Sequence, residues 1–204
     1  MAVSAAVKAA MKRAGQGAKN SGGGNNIRHG RGILMIDKWY WRQGHKGLSH
    51  VHEFIVTKSE KNIVMEGDKK IDVEPNAVNS SCSAVYNYDG KAKDMAGVNS
   101  ARFVLGLFGL EADAVSEEDV EKTIEEGSAD DSNPCRGMVI GYETYPIQTK
   151  AGAWIVGVKW SCVNKPGEGQ NTIEAAKARW DAFQLSKSAM ETAAKSSEKQ
   201  TATQ

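Results

Sequence analysis

The sequence predicts a mainly β protein with helices (α+β), built as a five-stranded barrel with a helical insertion between its third and fourth strands and a helix at the C-terminal end. Three observations predict it. Strand-like runs rich in β-branched and aromatic residues recur along residues 27–163, bounded by glycine, asparagine and proline. Helical spacing interrupts them between the third and the fourth run, and a last helical pattern follows the fifth.

From Ile27 to Arg42, IRHGRGILMIDKWYWR reads as the first strand. Strict alternation places Leu34, Ile36, Lys38, Tyr40 and Arg42 on one face and Ile33, Met35, Asp37, Trp39 and Trp41 on the other. GHKG turns the chain, and HVHEFIVTKSE completes a hairpin, with Val51, Glu53, Ile55 and Thr57 opposite His50, His52, Phe54 and Val56. KKIDV and SCSAVYNY are extended segments interrupted at Pro75 and Asn76, and together they form a third strand broken in two, with Cys82, Ala84, Tyr86 and Tyr88 on one side.

Two helices follow. KDMAGVNSARFVLGLFGLEA carries Val98, Ala101, Arg102, Leu105 and Phe108 or Gly109 near helical spacing, and SEEDVEKTIEEG opens with a capping box, Ser116 followed by Asp119. SADDSNP closes this insertion, which spans residues 94–131. CRGMVIGYETYPI and GAWIVGVKWSCV are then two strands joined by the hairpin loop QTKAG. In the second of them Trp154, Val156, Val158, Trp160 and Cys162 share a face, which assigns both tryptophans to the core. NKPGEGQ breaks that strand, and a helix from Thr172 to Ala194 runs into a polar tail.

Composition bounds the function classes. With 40% hydrophobic and 25% charged residues over 204, the chain supports one core, so residues 1–26 read as a flexible basic arm, 27–163 as the domain, and 164–204 as helix and tail. No apolar run approaches the roughly 20 residues of a membrane span, and the N-terminal stretch lacks the apolar centre of a secretory signal. Cys82, Cys135 and Cys162 are odd in number without C-x-x-C spacing, which fits a reducing cytoplasm. Net charge is +1 but unevenly spread: residues 1–60 carry +7, and 111–131 carry −9.

A five-stranded barrel with a helix after its third strand is the oligonucleotide/oligosaccharide-binding (OB) plan, whose curved sheet offers aromatic faces to bases and basic rims to phosphates. The run from GLSHVHEFIVTKSE through NSARFVLGLFGL to NPCRGMVIGYETYPIQTKAGAWIVGVKWSCV resembles a group of bacteriophage OB-fold single-stranded DNA-binding proteins. The resemblance covers residues 27–163 and rests on patterns of residue type rather than on catalytic signatures. It implies coating and protection of single-stranded DNA in phage replication, recombination or repair, in the host cell cytoplasm, with phage replication or recombination proteins as further partners. Such proteins often end in an acidic recruiting tail, whereas this chain ends KSSEKQTATQ; the acidic stretch 111–131 is the alternative recruiter.

On this reading Lys38, Tyr40 and Arg42 put one stacking ring between two phosphate contacts on a single strand face. Arg28, Arg31 and Lys46 add charge beside it, Tyr86 and Tyr88 are further stacking candidates, and Lys150 at the QTKAG tip meets phosphate. The alternative for each aromatic is core packing, and for each cation a solvated surface. A second function class, a phage structural or interaction protein, uses the aromatic strand and the terminal helix as a subunit interface, so a homo-oligomer stays open. His50 and His52 share a strand face and invite a metal reading with a distant cysteine, but packing residues have the same pattern. NSGGGNN lacks the Gly-Lys-Ser/Thr ending of a phosphate loop, and the only carboxylate cluster lies in the helical insertion. The expectation is a binding protein, not an enzyme or a nuclease, with no cofactor and no metal.

Overall fold

The computed structural model describes residues 26–44, 47–87, 93–128 and 133–201. Among these residues seven strands and three α-helices follow in chain order: β1 (Arg31–Gly44), β2 (Gly47–Glu60), β3 (Val64–Glu66), β4 (Lys69–Ile71), β5 (Ser81–Asn87), α1 (Lys93–Phe108), α2 (Glu117–Gly127), β6 (Val139–Gln148), β7 (Trp154–Cys162) and α3 (Ile173–Thr201). The protein is α+β. Five strands form an antiparallel sheet in the order β5-β2-β1-β6-β7, and β3 and β4 form a separate two-stranded hairpin. Among the described residues the sheet is open at β5 and β7, so the expected closed barrel is not formed. The segment KKIDV also departs from expectation: Lys69–Ile71 pairs with β3 rather than extending β5, since Pro75 and Asn76 separate the two.

The inner face of the sheet carries the main core. Leu34, Ile36, Phe54, Val56, Cys82, Ala84, Ile140, Tyr142 and Trp160 contribute from the strands, and Phe103, Val104 and Leu107 from α1. Phe103 is the hub, its ring 5.1 Å from Trp39, 4.3 Å from His52 and 5.3 Å from Trp160. A side chain that deep holds α1 across the sheet mainly by apolar burial, on the order of 2–3 kcal/mol for the phenyl group alone. Helix α2 opens with the expected capping box, the Ser116 hydroxyl accepting from the Asp119 N–H at 3.1 Å while the Asp119 carboxylate accepts from the Ser116 N–H at 3.4 Å. Its apolar stripe, Val120 and Ile124, packs into the same core and leaves Glu118, Asp119 and Glu126 exposed.

A second, smaller cluster lies on the outer face. Met35, Ile55 and Val139 are covered there by Trp180 and Phe183 of α3. The Arg136 guanidinium lies 5.4 Å over the Trp180 ring while its Nε–H donates to the Asp37 carbonyl at 3.1 Å. Asn171, fully buried before α3, accepts from the Val139 N–H at 2.7 Å and donates to the Val139 and Asn164 carbonyls. The helix is therefore pinned at its start by an amide and along its first turns by aromatic rings.

Candidate nucleic-acid interface

The KWYWR stretch is split by one residue. Along β1, Ile36 pairs with Phe54 and Lys38 with Glu53, so Asp37 is an extra residue bulged out of the ladder. A bulge shifts the alternation by one. Upstream of it Leu34 and Ile36 point into the core; downstream Trp39 and Trp41 do, each 2% exposed. Lys38, Tyr40 and Arg42 are thereby turned together onto the outer face. The expected grouping of Lys38, Tyr40 and Arg42 is present, but the continuous face shared with Leu34 and Ile36 is corrected by the bulge.

On that outer face the Tyr40 hydroxyl donates to Glu53 Oε1 at 2.8 Å, and Lys38 Nζ lies 3.5 Å from Glu53 Oε2 and 5.4 Å over the Tyr40 ring. Glu53 thus orders both side chains and offsets one charge. Arg42 is half-buried beyond them. Arg28 is exposed, its backbone N–H held by Asn76 Oδ1 at 2.8 Å. Arg31 lies 3.5 Å from Glu60, which also takes Lys58. Lys150 is exposed at the tip of the β6–β7 hairpin. Lys46 and Tyr88 lie outside the described residues.

Tyr86 does not join this face. It sits on the inner side of β5, its ring 5.4 Å from His52, and burial pushes its phenol up to about 12 despite a hydrogen bond with Trp160. Sequence alternation alone places it correctly beside Cys82 and Ala84, on the face opposite Lys38, Tyr40 and Arg42. The hub of that inner region is a pair of histidines. His50 stacks on Trp41 at 4.3 Å, and its Nδ1 lies 3.0 Å from His52 Nε2 and 2.9 Å from Ser100 Oγ. Ser128 donates its hydroxyl hydrogen to the Ile124 carbonyl, so its oxygen accepts from His50 Nε2–H at 3.0 Å. That fixes the tautomers: His50 Nδ1 is an acceptor and His52 donates to it, leaving His52 Nδ1 buried without a partner. Burial lowers the His50 pKa to about 3 and that of His52 well below its usual range. Three of the four ring nitrogens are engaged with each other and with serines, and among the described residues no group of three His, Cys, Asp or Glu could hold an ion.

Between α3 and the outer face runs a groove of about 720 Å³, floored by Ile55, Trp180 and Phe183 and edged by Asp37, Glu53 and Arg136. Asp37 has its carboxyl pushed up by burial, against the pull of Lys38 and Arg136. No helix of the described residues is long and apolar enough to cross a membrane.

The feature that sequence reasoning missed is the end of the β6–β7 hairpin. Trp160 is core as expected, but Trp154 is 36% exposed, with Val156, Ile155, Tyr145 and Ile147 exposed around it. The cause is length. Pairing of β1 with β6 ends at Arg31 opposite Glu143, and beyond Thr144 the hairpin has no β1 neighbour to cover it. The QTKAG turn lying so far past the first strand's beginning was the available signal. Comparison with known proteins gives no match to a protein-family model, a curated protein or a solved structure.

Proposed function

We propose that the protein binds single-stranded DNA without strict sequence preference, on the outer face of β1 and β2. The observation that carries this reading is the Asp37 bulge, which buries two tryptophans and gathers Lys38, Tyr40 and Arg42, each half-buried, on one outer strand face. A ring flanked by two cations along a strand suits a stacked base with phosphates on either side. The strand order, with both helices of the insertion between β5 and β6, supports an OB-like plan, in which the face of the second and third strands holds the ligand. Arg28, Arg31 and Lys150 lie toward the start of β1, at the opposite end from the β1–β2 turn, and form a separate cationic group outside this path; no cofactor takes part. The carboxylates of Asp37 and Glu53 in the α3 groove disfavour phosphate there, so the DNA path runs toward the β1–β2 turn.

The setting in phage replication, recombination or repair follows from the resemblance of residues 27–163 and is part of the same proposal. The test is a titration with a fluorescent oligothymidine of about thirty bases at several salt concentrations, beside a duplex of equal length. Tight single-strand binding that weakens steeply with salt, with duplex much weaker, is the expected result. Absence of binding at low salt overturns the reading and leaves a protein-interaction role for the exposed faces.

A further inference from the structure

The two ends of the sheet are treated differently. At β5, Asn26 bridges to Ser83 and the Ile27 N–H donates to the Ser83 carbonyl at 3.1 Å, so that edge is covered. At β7, among the described residues, only β6 pairs with the strand. Helix α1 crosses at the Trp160 end, where Gly106 lies against Trp160, and the half from Trp154 to Val158 is left open.

The direction of its backbone groups follows from the hairpin. The Thr149 N–H donates to the Ala153 carbonyl, and the register then runs without a shift from Gln148 opposite Trp154 to Ile140 opposite Cys162. In an antiparallel ladder hydrogen-bonded pairs alternate with non-bonded ones, so Ile155, Gly157 and Lys159 bond β6 while Trp154, Val156 and Val158 direct their N–H and C=O groups outward. Pro146, opposite Val156, fits this assignment because it has no N–H to give. Exposed edge strands ordinarily carry lysines, prolines or bulges that block pairing. β7 has no proline and no bulge, and its one charge, Lys159, stands across the ladder from Glu143. Instead it offers Trp154, Ile155 and Val156, of which Ile155 is 50% exposed.

We propose that β7 pairs with β7 of a second copy of this chain, antiparallel, about a two-fold axis through Val156. The register is self-complementary. Val156 faces its own counterpart and Trp154 faces Val158 of the other copy, both outward-directed pairs that exchange two hydrogen bonds each. Ile155 falls opposite Gly157, where the absence of a side chain lets Tyr145 and Ile147 lie across the strand. Lys159 falls opposite Ala153, so no like charges meet. An apolar, charge-poor edge of this kind gives nothing to phosphates, which is why a second copy rather than nucleic acid is its occupant. The pairing uses β7 rather than the Tyr40 face of β1 and is independent of the DNA reading.

Sedimentation velocity of the full chain at concentrations up to about 100 μM tests it, a range that populates any dimer with a Kd of roughly tens of micromolar or tighter. Wild type should sediment as a dimer of the 22.0 kDa chain. Val156→Pro removes one outward N–H without touching the β6 ladder, and Val156→Lys sets like charges on the axis; each should yield a monomer with unchanged far-ultraviolet circular dichroism. A monomeric wild type overturns the proposal, as does a dimer that persists in a folded variant of either kind; if the proline variant does not fold, the lysine variant decides.

Discussion

Lowering the pH should unfold this protein through two side chains. His50 and His52 are buried and neutral, bonded to each other and to Ser100 and Ser128, and neither can take a proton without placing a charge in the core. Their folded pKa values are depressed, that of His50 to about 3 against the usual 6.5. The unfolded chain therefore binds more protons below about pH 6.5, so the stabilisation is complete above that pH and is lost as pH falls toward the folded value. At pH 5 His50 forfeits about 2 kcal/mol, and His52, depressed for the same reason, adds a loss of the same sign, so the slope is steeper than one titrating group would give. Domain stabilities are typically about 5–15 kcal/mol, so for a domain at the lower end of that range the loss is enough to bring on unfolding as the pH falls below 5. Asp37 acts in the opposite sense, since its raised pKa makes its protonation easier in the folded state, but only in the range where carboxylates titrate. Urea unfolding at pH 7, 6 and 5, followed by circular dichroism, measures the slope. His52→Leu removes one proton site and one unpaired ring nitrogen, and should halve the slope without lowering stability at pH 7. Equal stability at pH 7 and 5, or an undiminished slope in His52→Leu, refutes the reasoning.

Three further outcomes follow from the geometry. Tyr40→Ala should weaken single-stranded DNA binding about tenfold or more at fixed salt while Tyr40→Phe, which keeps the ring and loses the hydroxyl that bonds Glu53, stays within about twofold by the same titration. Gly127→Ala should destabilise the fold by about 1–3 kcal/mol in denaturant unfolding, because an added methyl meets the Trp39 ring under 2 Å away and must displace the end of α2. Asn171→Ala should cost about 2–4 kcal/mol in the same assay, since it strips the partners from both the N–H and the C=O of Val139 at the start of β6.

The sequence made the strands of the sheet, both helices of the insertion, the Ser116 cap and the inner row His50, His52, Phe54 and Val56 legible because each is a local or periodic signal. The phase of β1 was not, because a bulge is a pairing property: nothing in MIDKWYW states that Asp37 has no partner, and that one residue decides which of Trp39 and Tyr40 meets solvent. Trp154 failed for a related reason. Its alternation with Trp160 is regular, yet coverage depends on where a different strand begins, and Arg31 is the last β1 residue to reach β6. Asn171 carried no pattern at all, being a single amide whose worth comes from the Val139 backbone thirty-two positions upstream.

The distribution of the five tryptophans also makes the chain its own set of probes. Trp39, Trp41 and Trp160 are enclosed and emit as buried indoles, so their fluorescence tracks the integrity of the fold. Trp154 stands at the open hairpin and Trp180 lies under Arg136 at the base of α3. Replacing these two in turn by phenylalanine separates three optical signals within one molecule, from core, sheet edge and helix, and lets association be followed apart from unfolding without attaching a dye.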